Sequence, residues 1–497
     1  MTRKMTGKTW EKNRINPEGY KKYMDGGEDF IDTRQINRQL EDNREPAPER
    51  VEDILDKALA VETLTPAETA CLLNVEDPEL RKKMEQTAGR VKEKVYDNRI
   101  VTFAPLYLNN LCVNNCRYCG FRRDNTEVER KILSPGEIER ETEVLAGDIG
   151  HKRLIVVYGE APETDIDYMV DSIEKIYGVE TETGQGTGRI RRVNVNAPPL
   201  PVEELQKLRD VGIGTYQVFQ ETYNRKTYDR VHPDGTLKSN YRWRLYSMHR
   251  AFEAGIDDVG LGVLFGLHDW KFEVMGLLAH ARELEHKFNV GPHTISFPRL
   301  EPAQGAPLAE NSPHRVTDDE FKKLVTVLRL AVPYTGLIIT ARENPELRRE
   351  TIKLGCTQAD ASTRIGIGAY SNYHDPQAKK KQQFLLGDTR DLDEFVRDMA
   401  EMGNITSFCT AGYRCGRTGE CIMELLREGK EADYCKLNAI LTFREWLDDF
   451  ASPEARQMGE KLLEQELEEV QSQQPEIFPR LKNYYNRIAK GERDLYF

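Results

Sequence analysis

Eight apolar, β-branched runs alternate with amphipathic stretches across the middle of this 497-residue chain. The alternation predicts parallel βαβ units, and eight is the number of strands that closes a (βα)8 barrel of the TIM type. An open, doubly wound sheet is the alternative α/β arrangement. The strand-like runs are Ile100–Leu108, Arg153–Tyr158, Arg189–Asn196, Gly214–Phe219, Asp258–Phe265, His293–Pro298, Gly336–Thr340 and Cys356–Ala361. Two of the intervening helices begin with capping-box patterns, at Ser134–Glu137 and at Thr317–Glu320.

The two ends of the chain have a different pattern from its middle. Residues 1–95 are charged and mostly helical in pattern, and the strand signal ends again at about residue 405. We therefore predict three parts: a helical N-terminal extension over 1–95, a barrel over 96–404 and a helical C-terminal region over 405–497.

Composition excludes several classes of protein. The chain has 71 basic and 83 acidic residues, a formal net charge of −12, which argues against a nucleic-acid binder. No run approaches the roughly 18 apolar residues that a membrane helix needs. The first residues are polar and basic without an apolar segment, so no secretory signal is expected and a cytoplasmic location is predicted.

Nine cysteines are distributed unevenly, and seven of them lie in two short windows. An odd number in a long chain without a secretory signal favours thiols, metal binding or catalysis over a disulfide framework. Cys71 and Cys356 stand alone and are expected to be small buried side chains. The clustered cysteines are Cys112, Cys116 and Cys119 in one window and Cys409, Cys415, Cys421 and Cys435 in the other.

The first cysteine window follows the first predicted strand and has the spacing C-x3-C-x2-C. A structural zinc site would need a fourth nitrogen or sulfur ligand, and only a residue distant in sequence could supply it. Three cysteines can instead hold a 4Fe–4S cluster with one iron left open for chemistry. The carboxyl end of a barrel strand is also where catalytic residues of this fold lie.

This spacing and placement resemble the radical S-adenosylmethionine (SAM) superfamily. The resemblance implies that the open iron binds the amino and carboxylate groups of SAM, and that one-electron reduction yields a 5′-deoxyadenosyl radical. Gly159 and Glu160 resemble the superfamily's Gly-Gly-Glu edge, which contacts the SAM amino group, although Tyr158 replaces the first glycine. Glu221 and Arg244 match an acid and an arginine that hold SAM in related tyrosine lyases. A solvated strand-end acid and an ordinary surface arginine are the alternatives.

Longer stretches are similar to the HydG family of tyrosine lyases, which mature FeFe hydrogenase. The similarity implies cleavage of the Cα–Cβ bond of L-tyrosine to p-cresol and dehydroglycine (2-iminoacetate), followed by CO and cyanide formation at a second cluster. It also implies a reductant such as ferredoxin or flavodoxin, other hydrogenase maturases as partners, and an anaerobic cytoplasm. Arg342 matches the family's candidate for binding the tyrosine carboxylate; an ion pair with a barrel acid is the alternative. The similar stretches are 194–198, 212–222, 256–267, 291–296, 407–419 and 491–497.

The second cysteine window departs from the family pattern. HydG proteins carry C-x2-C-x22-C here; Cys409 and Cys435 match its first and last positions, but Gly412 stands at the middle one. Either Cys415 or Cys421 substitutes as a ligand, or the cluster is absent, labile or rebuilt. His280 matches a helix histidine that binds a labile iron in the family, with a structural role as the alternative.

Three further functions remain open from the sequence. The chain could be a lyase that stops at dehydroglycine, as 2-iminoacetate synthase does, because its second cluster is altered. It could act on a different amino acid, or be a non-catalytic iron–sulfur scaffold.

Overall fold

Eight parallel strands form a closed barrel at the centre of this computed structural model, which describes residues 10–11, 14–372, 382–427 and 431–497. The barrel closes because β10 pairs with β1, so the predicted barrel is confirmed and the open sheet is wrong. The barrel strands are β1 (Arg99–Tyr107), β2 (Arg153–Val157), β5 (Arg192–Asn196), β6 (Tyr216–Gln217), β7 (Val259–Gly262), β8 (Thr294–Ser296), β9 (Gly336–Ile339) and β10 (Gln358–Asp360). A two-stranded hairpin, β3 (Thr181–Glu182) and β4 (Thr187–Gly188), lies outside it.

One more strand, β11 (Ile405–Ser407), pairs in parallel with the first residues of β1. The sequence pattern predicts no strand from residue 405 onward. Three residues are too few to show a period of two, so this strand depends on its neighbours and not on its own pattern. It carries the chain directly to Cys409 at the amino-terminal end of the barrel.

Helices surround the barrel and extend it at both ends. Those that precede it are α1 (Glu18–Lys21), α2 (Thr33–Asp42), α3 (Pro48–Leu59), α4 (Pro66–Leu73) and α5 (Pro78–Tyr96). Those between and after the barrel strands are α6 (Pro135–Glu143), α7 (Ile166–Tyr177), α8 (Val202–Asp210), α9 (Arg225–Val231), α10 (Tyr241–Leu245), α11 (Ser247–Glu253), α12 (Trp270–Phe288), α13 (Pro307–Glu310), α14 (Asp318–Ala331), α15 (Pro345–Leu354) and α16 (Leu392–Glu401). The C-terminal helices are α17 (Ala411–Arg414), α18 (Gly419–Arg427), α19 (Glu431–Phe450), α20 (Pro453–Gln473) and α21 (Phe478–Ile488).

Both predicted capping boxes open barrel helices. Ser134 caps α6 through Glu137, and Thr317 caps α14 through Glu320. In each, the glutamate accepts a hydrogen bond from the backbone N–H of the capping residue at 2.8 Å. This satisfies an amide that the first helical turn leaves without a partner, which is why the pattern locates a helix start so reliably.

The C-terminal region packs against the amino-terminal end of the barrel. Trp446 of α19 donates to the carbonyl of Ile149, just before β2, and Thr418 donates to Asp257, just before β7. The cysteines of the second window therefore lie at the opposite end of the barrel from those of the first. Within the residues that the structure describes, every helix is too short or too polar to cross a membrane.

Candidate active site

Cys112, Cys116 and Cys119 line one wall of a cavity at the carboxyl ends of the barrel strands. Cys116 is buried and the other two are half-buried. Burial raises the pKa of the Cys112 thiol, and it raises the pKa of Cys116 to about 12. Desolvation disfavours a bare thiolate, so these cysteines ionise only when a cationic centre compensates.

The three thiols are the donor set that a 4Fe–4S cluster requires. Among the described residues, no group of three His, Cys, Asp or Glu side chains is arranged to bind one metal ion. A cubane holds its thiolates at separate irons, which spreads them further apart than the ligands of a single zinc ion. The cysteine wall therefore fits a cluster better than it fits zinc.

Asn114, inside the cysteine motif, ties this loop to the end of β2. Its side-chain amide donates to Glu160 at 2.6 Å, and the backbone N–H of Val113 donates to the carbonyl of Glu160 at 2.7 Å. Glu160 lines the same cavity, and burial raises the pKa of its carboxyl. The predicted SAM-contacting edge and the cysteine loop are thus one connected unit.

Gly159 makes this close approach possible. A Cβ atom at this position would lie 2.2 Å from the carbonyl oxygen of Leu111, the residue before Cys112. No side chain fits there without moving the backbone. Its N–H is also bound, donating to Asn109 at 2.8 Å. The glycine is therefore required by packing between β2 and the cysteine loop.

Glu221 lies after β6 on the cavity wall, with a left-handed backbone conformation of φ 71°. A non-glycine residue in this region costs about 1–3 kcal/mol and persists where the surroundings hold it. Its carboxylate accepts from Lys238 at 2.6 Å and from Arg244 at 3.3 Å. Burial would raise the pKa of Glu221, but Lys238 and Arg244 lower it below its ordinary value. The structure therefore brings an ionised acid and two cations together in the cavity.

Arg342 also lines this cavity, after β9. Its guanidinium lies over the ring of Phe384, 3.3 Å from the centroid, and donates to the carbonyl of Arg299 at 3.4 Å. The neighbouring acid Glu343 pairs with Arg299 instead. Among the described residues, Arg342 forms no ion pair with a carboxylate, so the alternative reading of this residue receives no support. A half-buried arginine without a carboxylate partner is suited to bind a ligand carboxylate.

The opposite, amino-terminal end of the barrel holds Cys409. Arg153 donates to its carbonyl at 2.8 Å, and the N–H of Ala411 points at its sulfur, 3.3 Å away. Burial raises the pKa of the Cys409 thiol. Cys435, on α19, is half-buried, whereas Cys415 and Cys421 are exposed.

Comparison with known proteins agrees with this geometry. Residues 106–279 match the model of the radical SAM superfamily, and residues 296–405 match the biotin and thiamin synthesis associated domain. A crystal structure of HydG, a maturase of the [FeFe]-hydrogenase, is 46% identical to this chain with a TM-score of 0.89, covering 95% of this chain and 100% of its own. The chain belongs to the HydG family. HydG from Carboxydothermus hydrogenoformans is 37% identical, with a TM-score of 0.76 over 92% of this chain and 97% of its own.

The HydG family shares its barrel with other radical SAM enzymes. The 2-iminoacetate synthase of Escherichia coli is 29% identical over 323 residues, which are 64% of this chain and 81% of that protein. Membership implies a 4Fe–4S cluster and SAM as cofactors. Cys112, Cys116 and Cys119 are the residues here whose chemistry and placement fit that cluster.

Gly412, where HydG proteins carry a cysteine, lies in α17 near Cys409. A Cβ atom placed on it would meet only the carbonyl of Arg417, at 3.4 Å. The glycine is therefore not required by packing, in contrast to Gly159. Nothing in the structure explains its presence.

The contacts that the structure shows for His280 are with residues outside the second cysteine window, so its proposed role in binding iron stays a prediction. Its Nδ1 lies 2.9 Å from the hydroxyl of Tyr223, and its ring packs against Phe30 and His249. His280 therefore lies on the face of α12 that packs against α11 and the N-terminal segment. An imidazole that does lie at the amino-terminal end of the barrel is His293, whose Nδ1 is 3.8 Å from Asp258.

Two polar residues of the active site were not singled out from the sequence. Asn114 could have been noticed because it lies within the cysteine motif. Lys238 gave no signal, because it lies in a loop more than 100 residues from that motif and only the fold brings the two together.

Proposed function

We propose that this chain is a radical SAM lyase that cleaves the Cα–Cβ bond of L-tyrosine to p-cresol and dehydroglycine. The observation that carries the proposal is Arg342, a cation without a carboxylate partner among the described residues, in the same cavity as the three cysteines. Membership of the HydG family and similarity to 2-iminoacetate synthases support tyrosine as the substrate.

In this proposal each charged residue of the cavity has a separate task. Glu160 and Glu221 accept hydrogen bonds from the amino group of SAM, and Arg244 neutralises its carboxylate. The cluster held by the cysteine loop and SAM together supply a hydrogen-abstracting 5′-deoxyadenosyl radical when bound. The walls, lined by Phe103, Ile155 and Ile338, exclude water from the reacting atoms.

Arg342 binds the tyrosine carboxylate and so fixes the amino group relative to the cysteine wall. Loss of a hydrogen atom from that amino group weakens the Cα–Cβ bond. Its cleavage leaves dehydroglycine and a 4-hydroxybenzyl radical, which takes up one electron and one proton to become p-cresol. Both this electron and the one that cleaves SAM come from an external reductant, for which we propose ferredoxin or flavodoxin.

The test is anaerobic incubation of reconstituted protein with tyrosine, SAM and dithionite. We expect 5′-deoxyadenosine and p-cresol, both measured by chromatography. Formation of 5′-deoxyadenosine without p-cresol, while another amino acid is consumed, would assign a different substrate. Cluster transfer to an acceptor protein without any SAM cleavage would instead show an iron–sulfur scaffold.

The later HydG reaction, which forms CO and cyanide on iron, needs a second cluster. We propose that this chain stops at dehydroglycine, because Gly412 removes one thiolate and the two alternative cysteines, Cys415 and Cys421, are exposed. Two thiolates leave the remaining irons of a cubane without protein ligands. Trapping CO with deoxyhaemoglobin tests this: p-cresol without CO is expected, and a stoichiometric yield of CO would contradict it.

A further inference from the structure

Lys238 occupies the cavity beside the cysteine wall and has no task in the proposed reaction. It lies in a single 3₁₀ turn, Leu237–Ser239, and lines the cavity together with Cys116 and Glu221. Its side chain is 14% exposed. Burying an ammonium group is costly unless it is paired, so its position requires partners.

The backbone and the side chain of Lys238 both bind to residues of the site. Its backbone N–H donates to the side-chain oxygen of Asn114 at 2.8 Å, and its ammonium donates to Glu221 at 2.6 Å. The ammonium also lies 5.5 Å from the ring centroid of Tyr118, within the cysteine motif. Lys238 therefore bridges the cysteine loop and the acid at the end of β6, two segments about 100 residues apart in sequence.

The geometry at Glu221 makes this bridge important. Lys238 is its nearer cationic partner, at 2.6 Å against 3.3 Å for Arg244. The left-handed backbone of Glu221 must be held by its surroundings, and the carboxylate is held mainly by this ammonium. Without it, Arg244 would be drawn into a full ion pair with Glu221 and would be less free to bind a ligand carboxylate.

Lys238 also lies beside the cysteine loop. Its ammonium is close to the ring of Tyr118, two residues after Cys116, and Lys238 and Cys116 line the same cavity. A positive charge beside a thiolate stabilises the more negative form of whatever the thiolate binds. One-electron reduction adds a negative charge to an iron–sulfur cluster, so such a charge favours the reduced cluster.

We propose that Lys238 is a positioning residue of the SAM site, which orients Glu221 for binding the cofactor and places a positive charge beside the cluster-binding Cys116. This rests on the proposed function only for the binding of a cluster and SAM by the cavity. It does not depend on tyrosine being the substrate.

The test compares Lys238→Met and Lys238→Arg with wild type in the full-length, reconstituted protein. Lys207→Met is the matched control, because Lys207 is an exposed lysine that also pairs with one acid, Asp167. Three quantities are measured anaerobically: iron and sulfide content, the Kd of SAM by equilibrium dialysis, and the midpoint potential of the cluster by EPR-monitored titration without SAM.

We expect Lys238→Met to raise the Kd of SAM about tenfold or more, because a Glu221 that is no longer oriented would lose its charge-assisted hydrogen bond to SAM, and to make the midpoint potential more negative. Lys238→Arg restores the potential, since it keeps the charge, and Lys207→Met matches wild type. If Lys238→Met binds SAM and titrates like wild type, the proposal is wrong.

A variant that cannot take up iron is replaced by Lys238→Gln, which keeps a polar contact to Glu221 without the charge. The Kd of SAM and the midpoint potential of Lys238→Gln then decide the proposal in the same way. If wild type forms no p-cresol but its SAM affinity and potential depend on Lys238, only the tyrosine proposal fails.

Discussion

The two ends of the barrel hold their cysteines in different ways. At the carboxyl ends of the strands, three thiols come from one loop of eight residues, and Asn114 and Gly159 fasten that loop to β2. At the amino-terminal end, Cys409 follows a short strand and Cys435 comes from a helix after a gap of 25 residues. The first donor set is local in sequence, whereas the second depends on the packing of α17–α19 against the barrel.

The two sites differ in the substitutions that they tolerate. Replacing Gly159 would force the cysteine loop away from β2, because a carbonyl oxygen lies where its Cβ would be. Gly412 has no comparable constraint. The first site is therefore held by close packing against the end of β2, whereas the residue at position 412 is not constrained by packing.

The largest effect should come from Cys116→Ala. We expect complete loss of 5′-deoxyadenosine formation, because two thiolates do not keep a cluster with one open iron. Cys435→Ala, at the amino-terminal end of the barrel, should leave 5′-deoxyadenosine formation intact. SAM cleavage measured by chromatography checks both, and equal loss in the two variants would show that the ends are not independent.

Arg342→Gln tests whether the substrate binds at the carboxyl ends of the barrel strands, where Arg342 lies. Removing a charge-assisted contact to the tyrosine carboxylate should lower kcat/KM for tyrosine roughly 10–100-fold. SAM cleavage without tyrosine should be unchanged. Arg397→Gln is the control, because that arginine pairs with Asp393 on the outer helix α16. An unchanged KM for tyrosine in Arg342→Gln would rule out this role.

Gly412→Cys tests the cysteine window at the amino-terminal end of the barrel, because it adds the thiol that the HydG pattern has at this position. The added Cβ has room, so the variant should fold like wild type and bind more iron and sulfide, up to about twice as much per chain if a whole cluster is gained. Gly412→Ser, which is close in size, is the control. Iron analysis and EPR measure the gain, and equal iron in the two variants would show that another ligand is missing as well.

Lys152→Met should give the smallest effect of these changes. It alters the free energy of unfolding through a residue at the amino-terminal end of the barrel. Lys152 is fully buried beside Phe450, and its ammonium has no hydrogen-bond partner among the described residues. Burial lowers its pKa from 10.5 to about 8. The variant should therefore be more stable at pH 7, by roughly 1–3 kcal/mol, since it avoids a buried unpaired charge.

The pH dependence has a defined sign. Between pH 8 and 10.5 the unfolded chain keeps a proton on Lys152 that the folded chain has lost. Wild type therefore gains stability as the pH rises through that range, and the advantage of Lys152→Met shrinks. Thermal unfolding at pH 7 and pH 10 measures this. If the difference in stability between the two proteins is the same at pH 7 and pH 10, Lys152 is paired with an acid in the folded protein.

Much of the barrel could be predicted, because strand runs and capping boxes are local patterns. The eight predicted runs overlap all eight barrel strands, although β6 is only two residues long within the predicted run Gly214–Phe219. The chain leaves the sheet there to carry Glu221 into the cavity, and its single bridge to Val263 replaces regular pairing. β11 was missed because it forms only through its pairing with β1.

The sequence by itself determined the eight strand runs, the cysteine loop and the glycine at position 412, since each depends on residue type and spacing over short distances. Only the tertiary structure decided the partners of the charged residues. Lys238 bridges Asn114 and Glu221, Arg342 is without a carboxylate among the described residues, and His280 contacts the hydroxyl of Tyr223. The physical reason is that charge pairs join segments far apart in sequence, so their distances are set by how the elements pack and not by any pattern along the chain.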